Sequence, residues 1–225
     1  MCGRVLIFSG GHLDLEFAKT YLTEEKFDMV ICADSGINFA YELGIKVDCI
    51  MGDFDSASNN IVDKYRNNEV PESEGIKFVK FPPEKDSTDT DIVLEYALEK
   101  EPDEIVILGA TGGRMDHFLA NVNILLKPLR HGIRTYIIDK YNKIYLIDCH
   151  TEIKRKALWG KYISLLPFTE NVKNVRLNGF KYPLDGADLA IGNSLTVSNE
   201  MSEGADEASI SFDSGILIVI EARDS

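Results

Sequence analysis

The feature that most constrains this chain is a change of pattern near residue 141. From residue 4 to about residue 139, short apolar runs alternate with helix-length amphipathic segments, the signature of an α/β layer fold with a mainly parallel sheet. The spacing predicts strands at Val5 to Phe8, Met29 to Ala33, Cys49 to Met51, Lys77 to Phe81, Ile105 to Leu108 and Thr135 to Ile138. It predicts helices near Asp14 to Leu22, Asn38 to Leu43, Asn59 to Asn67, Asp89 to Glu99 and Asp116 to Leu129. After Tyr141 helical periodicity stops. Short strand-like runs follow at Lys143 to Ile147, Tyr162 to Leu166, Val172 to Leu177, Leu195 to Val197, Ala208 to Phe212 and Ile216 to Ile220, separated by Gly, Asn, Asp and Pro. That texture predicts a small antiparallel sandwich or barrel. The expected architecture is a Rossmann-like, three-layer α/β domain over residues 1–140, followed by an antiparallel β-sandwich over residues 141–225.

With 225 residues, 44% of them hydrophobic, the chain can bury an ordinary core. Its net charge of −13 disfavours nucleic acid and anionic membranes, which need a cationic surface, and suits a cationic ligand better. No segment has the length or apolarity of a bilayer span, and the apolar run after Met1 is shorter than a secretory core, so a cytoplasmic protein is expected. Cys2, Cys32, Cys49 and Cys149 form no C-x-x-C pair, and three lie in or beside apolar runs where buried thiols are common; neither zinc nor disulfides are indicated.

Three acidic stretches, each just after a predicted strand, carry the chemistry. Gly52-Asp53-Phe54-Asp55-Ser56 leaves the third strand at the edge where open α/β sheets bind ligands. Its two carboxylates either meet around one Mg²⁺, which asks for few carboxylates beside water and phosphate oxygens, or cap backbone amides in an Asx turn. In Lys85-Asp86-Ser87-Thr88-Asp89-Thr90-Asp91, Thr88 and Asp91 fit a helix capping box. Lys85, Asp86 and Asp89 are not needed for that cap; they suit a metal–phosphate site with lysine as counter-charge and the aspartates as ligands or proton acceptors.

Gly109-Ala110-Thr111-Gly112-Gly113-Arg114-Met115-Asp116-His117 joins the fifth strand to a helix. Its glycines let backbone amides approach a phosphate, and Arg114 offers a bidentate fork; the alternative is a tight loop with Asp116 as N-cap. The stretch matches neither a P-loop nor the dinucleotide fingerprint. Ser9-Gly10-Gly11-His12 and Ala33-Asp34-Ser35-Gly36 occupy equivalent positions and can either cradle a nucleotide or simply turn. His131 and His150 read as surface residues, and Trp159 as a packing residue.

Taken in order, Asp34-Ser35-Gly36-Ile37-Asn38, Gly52 to Ser56, Lys85 to Asp89 and Gly112 to His117 resemble the thiamine pyrophosphokinase family. The likeness continues through Ser164-Leu165-Leu166-Pro167, Gly179-Phe180-Lys181-Tyr182-Pro183-Leu184 and Val197-Ser198-Asn199, and so covers nearly the whole chain. The resemblance implies an N-terminal domain that binds ATP and Mg²⁺ and a C-terminal thiamine-binding β-domain. It also implies a homodimer whose composite site joins the cleft of one subunit to the β-domain of the other. The implied reaction transfers pyrophosphate from ATP to the thiamine hydroxyl, releasing AMP.

Carried over by motif, Asp53, Asp55 and Asp89 are the metal-binding and catalytic acids, and Lys85 and Arg114 contact phosphate. Asp34, Asp86, Thr111, Gly112, Gly113 and Asp116 belong to the nucleotide site, while Tyr182, Ser198 and Asn199 lie near thiamine. Where the family shows Ala-Asp-Gly-Gly, this chain carries Ser35, a side chain where close nucleotide approach is expected. Two other readings compete. A phosphohydrolase would use Asp53 as nucleophile and Asp55 as acid, but its motif belongs after the first strand and the β-domain would have no role. A nucleotide-sensing or thiamine-binding regulatory module would bind without turnover.

Overall fold

The computed structural model describes residues 3–52, 59–81 and 86–224. The chain divides into two compact units, Met1–Lys140 and Tyr141–Ser225. In the first, apolar runs of four or five residues form β1 (Arg4–Phe8), β2 (Met29–Ala33), β3 (Cys49–Gly52), β4 (Lys77–Lys80), β5 (Glu104–Leu108) and β6 (Arg134–Ile138). Between them lie α1 (Leu15–Glu24), α2 (Gly36–Leu43), α3 (Asn59–Arg66), α4 (Asp89–Leu98), α5 (Met115–Ile124) and α6 (Leu126–Arg130).

These strands run parallel in the order β6-β5-β1-β2-β3-β4. Val5 to Phe8 and Ile105 to Leu108 are buried throughout, as expected of central strands covered on both faces. Each large apolar side chain there contributes roughly 1.5–3 kcal/mol. The edge strand β4 instead exposes a lysine at each end, which discourages pairing with another chain. Right-handed crossovers put α1 to α3 on one face, where they touch in sequence, and α4 to α6 on the other, with α4 crossing β1 to β3.

One expected helix is two. The segment predicted as Asp116 to Leu129 breaks at Leu125, because Pro128 cannot donate to Ile124 and is tolerated only in the first turn of a new helix. No described helix is long and apolar enough to cross a membrane.

In the second unit, two antiparallel sheets form from β7 (Asn142–Ile147), β8 (Thr151–Lys154), β9 (Tyr162–Pro167), β10 (Asn171–Asn178), β11 (Leu184–Ala190), β12 (Asn199–Glu200), β13 (Glu207–Ser211) and β14 (Leu217–Ala222). The orders are β12-β9-β14-β7 and β11-β10-β13-β8. Alternate residues are buried along each sheet: Ile163, Leu165, Leu217 and Val219 on one, and Val172, Val175, Leu177, Ala208 and Ile210 on the other. This is the pattern of a layered β fold with one face of each sheet on the core.

The strand expected at Leu195 to Val197 is a turn. Val197 N–H closes on the Ser194 carbonyl, the Thr196 hydroxyl donates to the Leu165 carbonyl, and Ser198 adopts a φ of 57°. Cys32 and Cys49 are buried, but Cys149 is exposed beyond the end of β7; Cys2 lies outside the described residues.

Candidate active site

β1 and β5 are neighbours, and the chain leaves their carboxyl ends toward opposite sides of the sheet. Such a switch point opens a crevice above the sheet. Here the two loops are laced together. Ser9 N–H donates to the Leu108 carbonyl at 2.8 Å, Gly11 N–H to the Gly109 carbonyl at 2.8 Å, and His12 bridges Thr111. Only glycine allows this approach: a Cβ on Gly11 would lie 2.5 Å from the Gly109 oxygen, and one on Gly109, at φ 71°, would lie 2.5 Å from the Ser9 oxygen. Above the laced loops is a cavity of about 550 Å³, bordered also by Ala33 to Ser35 after β2 and by Thr88 to Thr90 at the start of α4.

Asp34 and Asp89 are the acidic residues of the described lining. Asp34 is 9% exposed and takes a left-handed φ of 46°, with its N–H on the Met51 carbonyl at 2.8 Å. The Ser35 side chain turns toward the β1 loop, where its hydroxyl donates to the Gly10 carbonyl at 3.4 Å.

Asp89 is the first residue of α4. Thr88 caps that helix by accepting the Asp91 N–H at 3.3 Å. The capping box is one-sided, because the Asp91 carboxylate goes instead to Lys127 of α6 at 2.5 Å, beside Glu95. This separates the roles within the motif: Thr88 and Asp91 build the helix terminus, and Asp89 faces the cavity. Thr90 is buried, and its hydroxyl pairs at 2.7 Å with that of Ser9, tying α4 to the β1 loop.

The lining also includes Gly112, Gly113, Arg114 and His117 from the loop after β5 and the start of α5. Asp116 is not the N-cap; the extended Arg114 holds that place, and Asp116 lies in the first turn of α5. Its carboxylate accepts from Nε and Nη2 along one edge of the Arg114 guanidinium, at 3.2 and 2.6 Å. That fork, helped by the His117 N–H, holds the exposed Asp116 carboxyl down at about 2. Asn121, buried one helical turn beyond His117, donates to the Ala110 carbonyl at 3.0 Å and fixes the β5 loop from below.

Asn121 and Thr90 went unnoticed in the sequence. The signal for each was a small polar residue on the apolar face of an amphipathic helix. Of the expected residues, Asp34, Asp89, Gly112, Gly113 and Arg114 meet at the cavity. Thr111 lies behind it in the bridge to His12, and Asp86 is exposed away from its lining. Asp53, Asp55 and Lys85 lie outside the described residues.

In the second unit Tyr182, Ser198 and Asn199 come together. Tyr182 is 60% exposed, with the Lys181 ammonium 5.5 Å from its ring centroid. The Ser198 N–H donates to the Ser164 hydroxyl at 2.9 Å, and the Asn199 amide bonds to the Tyr182 backbone. Trp159 is half-buried under Arg223, and its backbone N–H donates to the buried Glu221 carboxylate at 2.8 Å.

A doubly wound parallel sheet with paired glycine loops at its switch point, followed in the same chain by an antiparallel β unit, is the arrangement of a two-domain nucleotide-binding protein. Comparison with known proteins narrows the class. The family profile "Thiamin pyrophosphokinase, catalytic domain" matches residues 20–137, and "Thiamin pyrophosphokinase, vitamin B1 binding domain" matches residues 150–217. The chain belongs to the thiamin pyrophosphokinase family.

It is 36% identical to the thiamine pyrophosphokinase of Bacillus subtilis (strain 168) over 97% of this chain and 98% of the relative. The crystal structure of the Bacillus subtilis thiamine pyrophosphokinase superposes with a TM-score of 0.84 at 34% identity, covering 99% of this chain and all of the other. The thiamin pyrophosphokinase of Geobacillus thermodenitrificans superposes with a TM-score of 0.83 at 30% identity, covering 99% of this chain and 98% of the other. The activity is that of a thiamine pyrophosphokinase, an ATP-dependent enzyme acting on thiamine.

Proposed function

We propose that ATP binds in the cavity above the laced loops of β1 and β5, and that Asp53, Asp55 and Asp89 hold Mg²⁺ there while pyrophosphate passes to thiamine with release of AMP. The observation that carries this reading is the lining of the cavity, where Asp34 and Asp89 meet the glycine loops that follow β1 and β5 and Arg114, whose guanidinium is paired with Asp116. Hard oxygen donors of this kind suit Mg²⁺, which keeps several waters and takes one or two carboxylates beside phosphate oxygens. The bound ion would supply charge neutralisation across the triphosphate.

The chain's own residues do the rest. The backbone of Gly112 and Gly113 lies along the phosphates, backed by Thr111. Arg114 and Lys85 contact phosphate oxygens, with Asp116 holding the Arg114 fork in place and Asp86 beside Lys85. Positioning supplies most of the rate, and a primary alcohol needs little activation in a loose transition state. Asp89 accepts its proton late.

Tyr182, Ser198 and Asn199 lie near thiamine, brought to the cleft by the partner in a homodimer. Exposed Ile191, Leu195 and Val197 in the β unit, and Met115 and Leu119 along α5, support such pairing. The use of ATP and the free thiols of Cys32 and Cys49 support a cytoplasmic setting.

Two experiments test the reading. Asp89→Asn and Asp53→Asn should each lower kcat by roughly 100-fold or more with folding intact; near-normal turnover in either variant contradicts it. Sedimentation should give a dimer, and a monomer at assay concentration would remove the shared site.

A further inference from the structure

We infer that Asn199 is a positioning residue for the Tyr182 ring and does not itself bind thiamine. The inference rests on the proposed placement of Tyr182 beside thiamine, and it assigns to Asn199 a role different from the ligand contact that motif resemblance implies.

The segment before Tyr182 runs antiparallel to the segment after Asn199. Phe180 bridges Met201, and the Lys181 N–H donates to the Glu200 carbonyl at 2.7 Å. The next pair in that register is Tyr182 opposite Asn199, but there the main chain of Asn199 already pairs with Ile163 of β9. The Asn199 side chain takes over. Its Oδ1 accepts the Tyr182 N–H at 3.1 Å, and its Nδ2 donates to the Tyr182 carbonyl at 2.8 Å. An amide that gives and takes in this way reproduces the two-bond pairing of adjacent antiparallel strands.

The same Oδ1 also accepts the Glu200 N–H at 2.9 Å, so both lone pairs are engaged. At 3% exposure the side chain has almost no surface left for a ligand.

Tyr182 needs such a clamp. Its ring is largely exposed, with the Lys181 ammonium 5.5 Å from its centroid, so the direction in which it leaves the chain is set mainly by its backbone. Pro183 restricts Tyr182 to extended conformations but leaves a range of them. The Asn199 amide selects one. The aromatic surface offered to a thiazolium or pyrimidine ring is thereby set before the ligand arrives, which lowers the ordering cost of binding.

The test uses the full-length protein and steady-state kinetics with thiamine and ATP varied separately, in Asn199→Ala, Asn199→Asp, Tyr182→Ala and the double variant Asn199→Ala/Tyr182→Ala. Asn199→Asp keeps the acceptor and loses the donor, so it carries the test if the alanine variant folds poorly. The expected result is a rise of about tenfold in KM for thiamine in both Asn199 variants, with KM for ATP unchanged. The double variant should be no worse than Tyr182→Ala, and the Tyr182 amide, whose acceptor only the alanine substitution removes, should exchange faster with solvent in Asn199→Ala. Multiplying effects in the double variant would overturn the inference, because Asn199 would then act on thiamine independently of Tyr182. A Tyr182→Ala variant with unchanged KM for thiamine would instead remove the placement of Tyr182 on which the inference rests.

Discussion

Replacing Gly11 with alanine tests whether the laced loops are what makes the nucleotide cavity. The new Cβ would stand 2.5 Å from the Gly109 carbonyl oxygen and 3.4 Å from the Thr111 carbonyl oxygen. An ordinary carbon-to-carbonyl contact is roughly 3.3 Å, so the β5 loop must retreat by about 0.8 Å. The atom that must move is also the acceptor of the 2.8 Å bond from the Gly11 N–H. A retreat of that size carries the bond past the usual limit of about 3.2 Å.

Overpacking against backbone costs about 1–3 kcal/mol, which outweighs the roughly 0.4–1 kcal/mol gained by restricting the unfolded chain. Urea unfolding should show that loss, and KM for ATP should rise about tenfold or more while KM for thiamine stays the same. Gly113→Ala serves as the contrast. At φ 69° and with nothing within 4 Å of its Cβ, it carries conformational strain of roughly 1–2 kcal/mol but no collision. If Gly11→Ala kept the parental unfolding midpoint and KM for ATP, the loops would not be held as described.

Two further perturbations probe the walls of the cavity. Thr90→Val leaves the buried Ser9 hydroxyl without its 2.7 Å partner and should cost about 1–3 kcal/mol in urea unfolding, with part of that recovered in Ser9→Ala/Thr90→Val; a double variant worse than the sum of the singles would refute the pairing. The Asp116 carboxyl should titrate at about 2 in carbon-detected NMR, and in Arg114→Ala its midpoint should rise toward the ordinary 3.8; a parental midpoint near 3.8 would mean that the fork is not formed. Because the folded value is the lower one, the contact favours the folded state above the ordinary carboxyl range, and that contribution is lost as pH falls through about 2.

The α/β half was legible because its central strands are buried on both faces, so Val5 to Phe8 and Ile105 to Leu108 appear as unbroken apolar runs. Of the three strands missed in the second unit, Asn199–Glu200 is only two residues long, and Thr151–Lys154 and Leu184–Ala190 each bury one large side chain, Ile153 and Leu189, and carry too little pattern to detect. Leu195 and Val197 misled for the opposite reason: β-prone residues sit exposed on a turn held by Thr196.

At the site, the order of the acidic motifs pointed to the correct family, since each motif follows a strand of one parallel sheet. Partnerships across 36 or 81 residues, such as Asp91 with Lys127 and Thr90 with Ser9, could not be seen. They depend on where α4 lands on the sheet, and only the fold brings those side chains together. Ser35 shows the same limit. Its side chain borders the cavity, and the contact of its hydroxyl with the Gly10 carbonyl depends on how the loops after β1 and β2 meet.

The most direct measurement is the identity of the nucleotide formed when the protein is incubated with ATP, Mg²⁺ and thiamine. Pyrophosphoryl transfer gives AMP and thiamine diphosphate in equal amounts, with no AMP when thiamine is withheld. ADP with thiamine monophosphate, or phosphate released without thiamine, would contradict pyrophosphoryl transfer at this site.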